Sequence, residues 1–185
     1  MSRTSDKRER LIAAADQLIL RQGFKQTTLS DIARDAGVPL GNVYYYFKTK
    51  QEIGETVVRS RIDDTRQWLD TCAAETEPRN RLLKFLEFPT CHRTELAENG
   101  CTLGTLSYEL RHADAPLNEL SPPLIEVTLD WAEQQFTAMG RPDAQDLALQ
   151  FVSNMQGMCL ISNSINDPVI IDRMVERTRE WLLSL

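Results

Sequence analysis

An all-α protein is predicted by three features of the 185-residue chain. Apolar residues recur at helical spacing over most of its length, and no segment alternates as a half-buried strand would. The block from Thr28 to Lys50 carries the punctuation of two short helices joined by a tight turn. The expected organisation is an N-terminal three-helix helix-turn-helix domain over residues 1–50, followed by a larger helical domain over residues 51–185.

The first helix is expected from about Ser5 to Gln22, with Leu11, Ala14, Ala15, Leu18 and Ile19 on one face and Gly23 as its stop. Thr28, followed three residues later by Asp31, has the spacing of a capping box, in which each side chain satisfies an orphan backbone N–H at the helix start. Ile32, Ala33 and Ala36 form a short apolar stripe, Gly37 ends the helix, and Pro39 suits the first turn of the next one. A unit of this kind places its second helix in the DNA major groove.

Charge distribution agrees with contact to DNA at one end. The chain carries −6 overall, yet residues 1–59 hold ten Lys/Arg against seven Asp/Glu, so a +3 head is followed by a −9 body. Arg3, Lys7 and Arg8 are candidates for a basic arm beside the phosphate backbone. Met1–Arg10 is polar, without the apolar core of an export signal, and no window approaches ~18 consecutive apolar residues. Cys72, Cys91, Cys101 and Cys159 are scattered and are expected as reduced thiols, which fits a cytoplasmic location.

Beyond Lys50 a long helix is expected from Gln51 to Ala74. Pro78 opens another through Phe88, with Pro89 disturbing the passage into Thr90–Glu98. Cys101–Arg111 reads as a fresh helix after Asn99-Gly100, and Pro122-Pro123 mark the boundary before Leu124–Met139. Asp143 and Asp167-Pro168 read as the starts of the last two helices. Leu147, Phe151, Met155 and Cys159, then Ile171, Met174, Val175, Thr178 and Leu182, give those helices broad apolar faces. These faces suit either a four-helix homodimer interface or the core of one subunit.

The residues Gly23, Thr27-Thr28, Asp31-Ile32-Ala33, Ala36-Gly37-Val38, Gly41, Tyr44, Tyr46-Phe47 and Lys50, in register behind the Arg10–Phe24 helix, resemble the TetR family of transcriptional regulators. The resemblance covers about the first quarter of the chain and departs from the family at Pro39, where a capping Ser or Thr is common. It implies a homodimeric repressor with a DNA-reading head and a C-terminal effector-binding and dimerisation domain. Its partners would be palindromic double-stranded operator DNA, a second copy of itself and a small-molecule effector, with no membrane and no cofactor.

Candidate DNA contacts follow from chemistry. Thr28 stands at a helix N-terminus where a phosphate can be met; Lys48 and Lys50 are point charges; Gly41 permits close backbone approach. Asn42 can pair with an adenine edge, Leu40 or Val43 can meet a thymine methyl, and Tyr44 and Tyr45 have the reach for phosphate or base. The resemblance singles out Tyr44 and Lys50 as backbone contacts. Tyr46 and Phe47 are read as core anchors.

Cys101 begins a helix and has two readings: a thiolate favoured by the positive end of the dipole, or a small residue buried in a helix contact. Its setting, Asn99-Gly-Cys-Thr-Leu-Gly104, is similar to that of a TetR-like subgroup in which this cysteine is linked to sensing reactive compounds. Cys91 is the candidate disulfide partner, with Cys72 and Cys159 read as inert on apolar faces. Trp68, Phe85, Phe88, Tyr108, Trp131 and Phe136 are candidate pocket-lining residues for an apolar effector.

Two other classes fit the residues less well. A metal site is disfavoured because Cys91-His92, Cys101 and His112 match no usual zinc spacing. An enzyme with Cys101 as nucleophile and His92 or His112 as base lacks an acidic orienting group and any phosphate loop, so no catalytic residue is assigned. A DNA-binding regulator or scaffold that ignores effectors is the nearer alternative.

Overall fold

The computed structural model describes residues 3–185, with side chains from residue 6 onward. Arg3 therefore has its side chain outside the described residues. Among these residues every regular element is helical. The order is α1 (Arg3–Gln26), α2 (Leu29–Asp35), α3 (Leu40–Tyr46), α4 (Lys50–Cys72), α5 (Pro78–Phe85), α6 (Glu87–Cys91), α7 (Arg93–Asn99), α8 (Thr102–Arg111), a 3-10 turn (Leu117–Leu120), α9 (Ser121–Ala138), α10 (Ala144–Ile165) and α11 (Val169–Ser184). They form two compact units: one reaches to Ile62 and includes Thr105–Leu124, the other comprises Asp63–Gly104 and Ile125–Leu185.

In the first unit, Leu11 of α1, Ile32 of α2, Val43 of α3 and Ile53 of α4 are fully buried, so each helix contributes an apolar side to one small core. Gly23 breaks α1 as the sequence suggests: its φ of 82° lies in the left-handed region, where glycine alone is unstrained. A buried ion pair fastens α4 to α1. The Arg61 guanidinium, only 5% exposed, donates through Nε to Asp16 Oδ1 at 2.7 Å and through Nη2 to the Asp16 carbonyl at 3.2 Å.

The second unit packs around Phe136 and Phe151, whose ring centroids are 6.4 Å apart. Leu82, Leu86, Ile171 and Leu182 are buried with them in the same core. Leu147, Phe151, Met155 and Cys159 all lie in this core. A different set on the last two helices is exposed: Leu149, Leu160, Ile161 and Ile165 on α10, with Val169 and Leu183 on α11.

Prolines move several boundaries from their expected places, for one reason: a proline is tolerated only where its missing N–H has no helical partner. The helix from Pro78 ends at Phe85 instead of Phe88, and α6 restarts at Glu87, which puts Pro89 in a first turn. Pro122 and Pro123 likewise lie inside the first turn of α9, three residues ahead of the expected start at Leu124. Pro39 occupies the cap position of α3 itself. Asp143 stands at the N-cap position of α10, its carbonyl accepting from Leu147 N–H at 3.0 Å, but its carboxylate makes no cap bond and is held by Arg141 at 3.0 and 3.1 Å. Asp167 does serve α11, accepting from Val169 N–H at 3.0 Å.

Candidate nucleic-acid interface and effector site

The capping box at the start of α2 is complete. Thr28 Oγ1 accepts from Asp31 N–H at 3.1 Å and donates to Asp31 Oδ2 at 2.6 Å, while Thr28 N–H donates to the same carboxylate at 3.2 Å. These bonds to Thr28, with Arg34 beyond them, hold the Asp31 carboxyl below its usual range. Gly37 N–H and Val38 N–H then close the turn on the carbonyls of Arg34 and Ala33.

Helix α3 is two-sided. Val43 is fully buried and Phe47 is 2% exposed, so these two anchor the helix, and Val43 cannot meet a thymine methyl as its sequence position allowed. Leu40, Gly41, Tyr44 and Tyr45 are exposed, with Asn42 half-buried beside them. A side chain at Gly41 would meet nothing within 4 Å, so that surface is open. Tyr46 is half-buried and takes the Tyr45 ring edge-on at 5.0 Å. Lys48 donates from Nζ to the Tyr44 carbonyl at 2.9 Å, which lays its charge along the end of α3.

Lys50 is bound inward at its tip. Its Nζ donates to the Lys25 carbonyl at 2.9 Å and lies 4.5 Å above the centre of the Phe24 ring, and burial lowers its pKa against the attraction of Glu109. Arg8, read as part of a basic arm, stacks its guanidinium 5.4 Å over the Phe47 ring. The corner ahead of α2 is thus tied to the start of α4, and α1 to the end of α3, by cations lying on aromatic faces.

Sequence reasoning missed Glu109. Its carboxylate accepts from Phe24 N–H and Lys25 N–H, each at 2.6 Å, capping the two amides that Gly23 turns outward. No local pattern signals this, because donor and acceptor stand 84 and 85 residues apart.

In the second unit, Cys101 sits immediately before α8 and is half-buried. Its sulfur accepts from Gly104 N–H at 3.4 Å and from Gln156 Nε2 at 3.6 Å. The thiol is drawn down to about 6, chiefly because the Cys159 thiol donates to it; burial opposes, while Gly104 and Leu103 N–H and Gln156 assist. Cys159 is pushed up in turn, by its bond to Cys101, by burial and by the neighbouring negative charge. Gly104 leaves room for Gln156 in this arrangement: a β-carbon there would stand 2.2 Å from Gln156 Oε1 and oblige that side chain to shift. Cys91 is exposed at the end of α6; Cys72 is buried and held up at about 11, mainly by desolvation. The thiol hydrogen-bonded to Cys101 therefore belongs to Cys159, a residue expected to be inert.

The aromatic candidates form two pairs. Trp68 meets Phe88 at 5.8 Å between centroids, and Phe85 meets Trp131 at 5.4 Å. Phe85 and Phe136 are buried in the core, Trp68 and Trp131 are partly buried, and Phe88 is at the surface. The Trp68 indole N–H is buried without a hydrogen-bond partner. Tyr108 belongs to the first unit, is 74% exposed, and takes His112 as its ring partner at 5.0 Å. Among the described residues, no group of three or more His, Cys, Asp or Glu side chains is placed to hold a metal ion. None of the described helices is long and apolar enough to cross a membrane.

The sequence profile of the bacterial regulatory proteins, tetR family, matches residues 11–57. The HTH-type transcriptional regulator LmrA of Bacillus subtilis is 32% identical over 118 residues, 62% of each chain. The HTH-type transcriptional repressor NemR of Escherichia coli K12 is 28% identical over 116 residues, 62% of this chain and 57% of that one. The chain thus aligns with less than two thirds of the length of these two relatives. The crystal structure of reduced E. coli NemR superposes with a TM-score of 0.81 at 19% identity, covering 94% of this chain and 96% of that one, so the helical architecture is shared. Over its turn unit the chain is thus similar to the bacterial tetR-family regulatory proteins, and over nearly its whole length it shares a helical fold with NemR.

Proposed function

We propose that the chain is a repressor that binds a palindromic operator as a homodimer and is released by a small-molecule or electrophilic effector. Residues 1–50 read the DNA, and residues 51–185 carry effector binding and dimerisation. The observation that carries the reading is the two-sided α3: Leu40, Gly41, Tyr44 and Tyr45 face outward from a helix fixed by Val43 and Phe47. Leu40 meets a thymine methyl and Asn42 an adenine edge, while Tyr44, Tyr45, Thr28 and Lys48 serve the phosphates and Lys50, its tip bound inward, holds the corner behind them. One seven-residue helix reads few bases, so a second head is needed, with half-sites one helical turn (~34–36 Å) or a multiple apart.

The exposed apolar residues of α10 and α11 support dimerisation, because Leu149, Leu160, Ile161, Ile165 and Val169 at 49–67% exposure are unusual on a free surface. The effector acts on the second unit, where Cys101 offers a nucleophilic sulfur and Trp68 an unpaired N–H. By linkage, an effector that favours a form with the wrong head spacing weakens operator binding by the same free energy. Repression fits a protein with no catalytic role, acting in the cytoplasm where the DNA is.

Selection of genomic fragments by the purified chain tests the reading. A palindromic site, bound by a species of twice the 21.1 kDa chain mass, is expected. Release of that site by a mild electrophile or an apolar ligand identifies the effector class. Failure to enrich any DNA sinks the proposal.

A further inference from the structure

Resting on the reading of Cys101 as the sensed thiol, we propose that Cys159 is its resolving partner, so that oxidation closes a disulfide between the start of α8 and the middle of α10 within one chain.

The placement is built by α10. Gln156, Cys159 and Asn163 recur at three- and four-residue spacing and so share one face of that helix. Gln156 donates to the Cys101 sulfur at 3.6 Å, and Asn163 Nδ2 donates to the Ala97 carbonyl at 2.9 Å. The segment from Ala97 to Gly104 is therefore hydrogen-bonded to the face of α10 on both sides of Cys159. Cys159 itself is 5% exposed, closed to solvent yet bonded to the Cys101 sulfur. Cys101 is the more open of the two, so it meets a diffusing oxidant first and the buried thiol answers.

Hydrogen peroxide supplies the two oxidising equivalents. The Cys101 thiolate attacks one peroxide oxygen, the O–O bond breaks, and hydroxide leaves and is protonated to water. The Cys101 sulfur is then a sulfenic acid. The Cys159 sulfur attacks it, the S–O bond breaks, and hydroxide departs with the Cys159 proton as a second water. Two thiols and one peroxide thus give one disulfide and two waters. A dithiol reductant reverses the cross-link.

The test uses the full, reduced chain treated with one equivalent of hydrogen peroxide in the presence of dimedone, which traps sulfenic acids. Digestion without reductant and mass analysis should show the Cys101 peptide joined to the Cys159 peptide, two hydrogens lighter than the reduced pair. Dimedone adduct at Cys101 should rise about tenfold in C159A and C159S relative to the unaltered chain. The wild-type cross-link needs no variant, so a poorly folded C159A does not remove the test. Equal adduct in wild type and in folded C159A, a link from Cys101 to Cys91 or to another chain, or an unreacted Cys101 each overturns the proposal. Fragment selection by the untreated chain is run beside it: loss of DNA binding there would overturn the repressor reading, while the cross-link is judged by mass alone.

Discussion

The Glu109 carboxylate occupies the space where a β-carbon on Gly23 would project: both its oxygens are 3.1 Å from that position. The glycine is doubly required, first for its φ of 82° and then because the carboxylate must come this close to reach Phe24 and Lys25 N–H. Charge-assisted bonds of this length contribute about 1.5–3 kcal/mol each where water is excluded, and less here, since the Lys25 amide is exposed. E109A is expected to lower stability to urea by about 1–3 kcal/mol and to weaken operator binding through a loosened corner ahead of α2. E109Q should not restore it, since an amide presents N–H to one of the two donors. An E109A chain as stable as the parent would show that the corner is held by the Lys50 contacts alone.

The two sides of α3 should respond differently to truncation. Tyr44 and Tyr45, at 48% and 72% exposure, have little packing to lose, so Y44A and Y45A should leave the thermal midpoint nearly unchanged while reducing affinity for the selected site. V43A removes a fully buried side chain and is expected to cost about 1–3 kcal/mol of stability. K48A should shift affinity similarly on all sequences and reduce the salt slope by about 1, the mark of one phosphate contact. Titrating fluorescent operator at several salt concentrations separates these outcomes.

Local grammar made the head readable, and long-range pairing hid what supports it. Thr28 with Asp31 and Gly23 as a stop are short-range chemistry, and both are present as the sequence suggests. Val43 was misassigned because its side of α3 depends on which face meets α2 and α4, which spacing within seven residues does not determine. Glu109, Gln156 and the bond from Cys159 to Cys101 lie on elements far away in sequence, so nothing local marks them. The apolar faces of α10 show the same limit. Periodicity found Leu147, Phe151 and Met155, which line the core, while the exposed Leu149, Leu160 and Ile161 are distinguishable only once the core has its sides.

Arg61 and Asp16 provide a direct measure of how firmly α4 is joined to α1. The guanidinium is almost fully buried and the carboxylate about a third exposed, so removing the carboxylate strands a charge that cannot readily rehydrate. D16A is expected to cost toward the low end of the about 3–5 kcal/mol seen on breaking buried pairs. R61M, which removes the buried charge while keeping an apolar stem, should cost less than D16A. The reverse order in urea unfolding would mean that Asp16 acts by hydration and not by pairing.

The Cys101 thiol, drawn down to about 6, sets a pH window for its chemistry. Alkylation of Cys101 by iodoacetamide should rise with pH, reach half its limiting rate near 6 and change little above 8, whereas Cys72, pushed up to about 11, should still be gaining at pH 9. The sign for stability follows from the same shift. The folded chain has released this proton where the unfolded chain still holds it, so Cys101 stabilises the fold fully above the ordinary thiol value of 9.0. That contribution is lost as pH falls through about 6. Cys159, shifted upward, acts oppositely and only above its ordinary value, so the window between about 6 and 9 reports Cys101. Q156L removes one donor to the sulfur and should move the alkylation midpoint upward. Per-residue alkylation rates by mass spectrometry decide the point, and a Cys101 midpoint near 9 in the parent chain would show that Cys159 donates nothing to its sulfur.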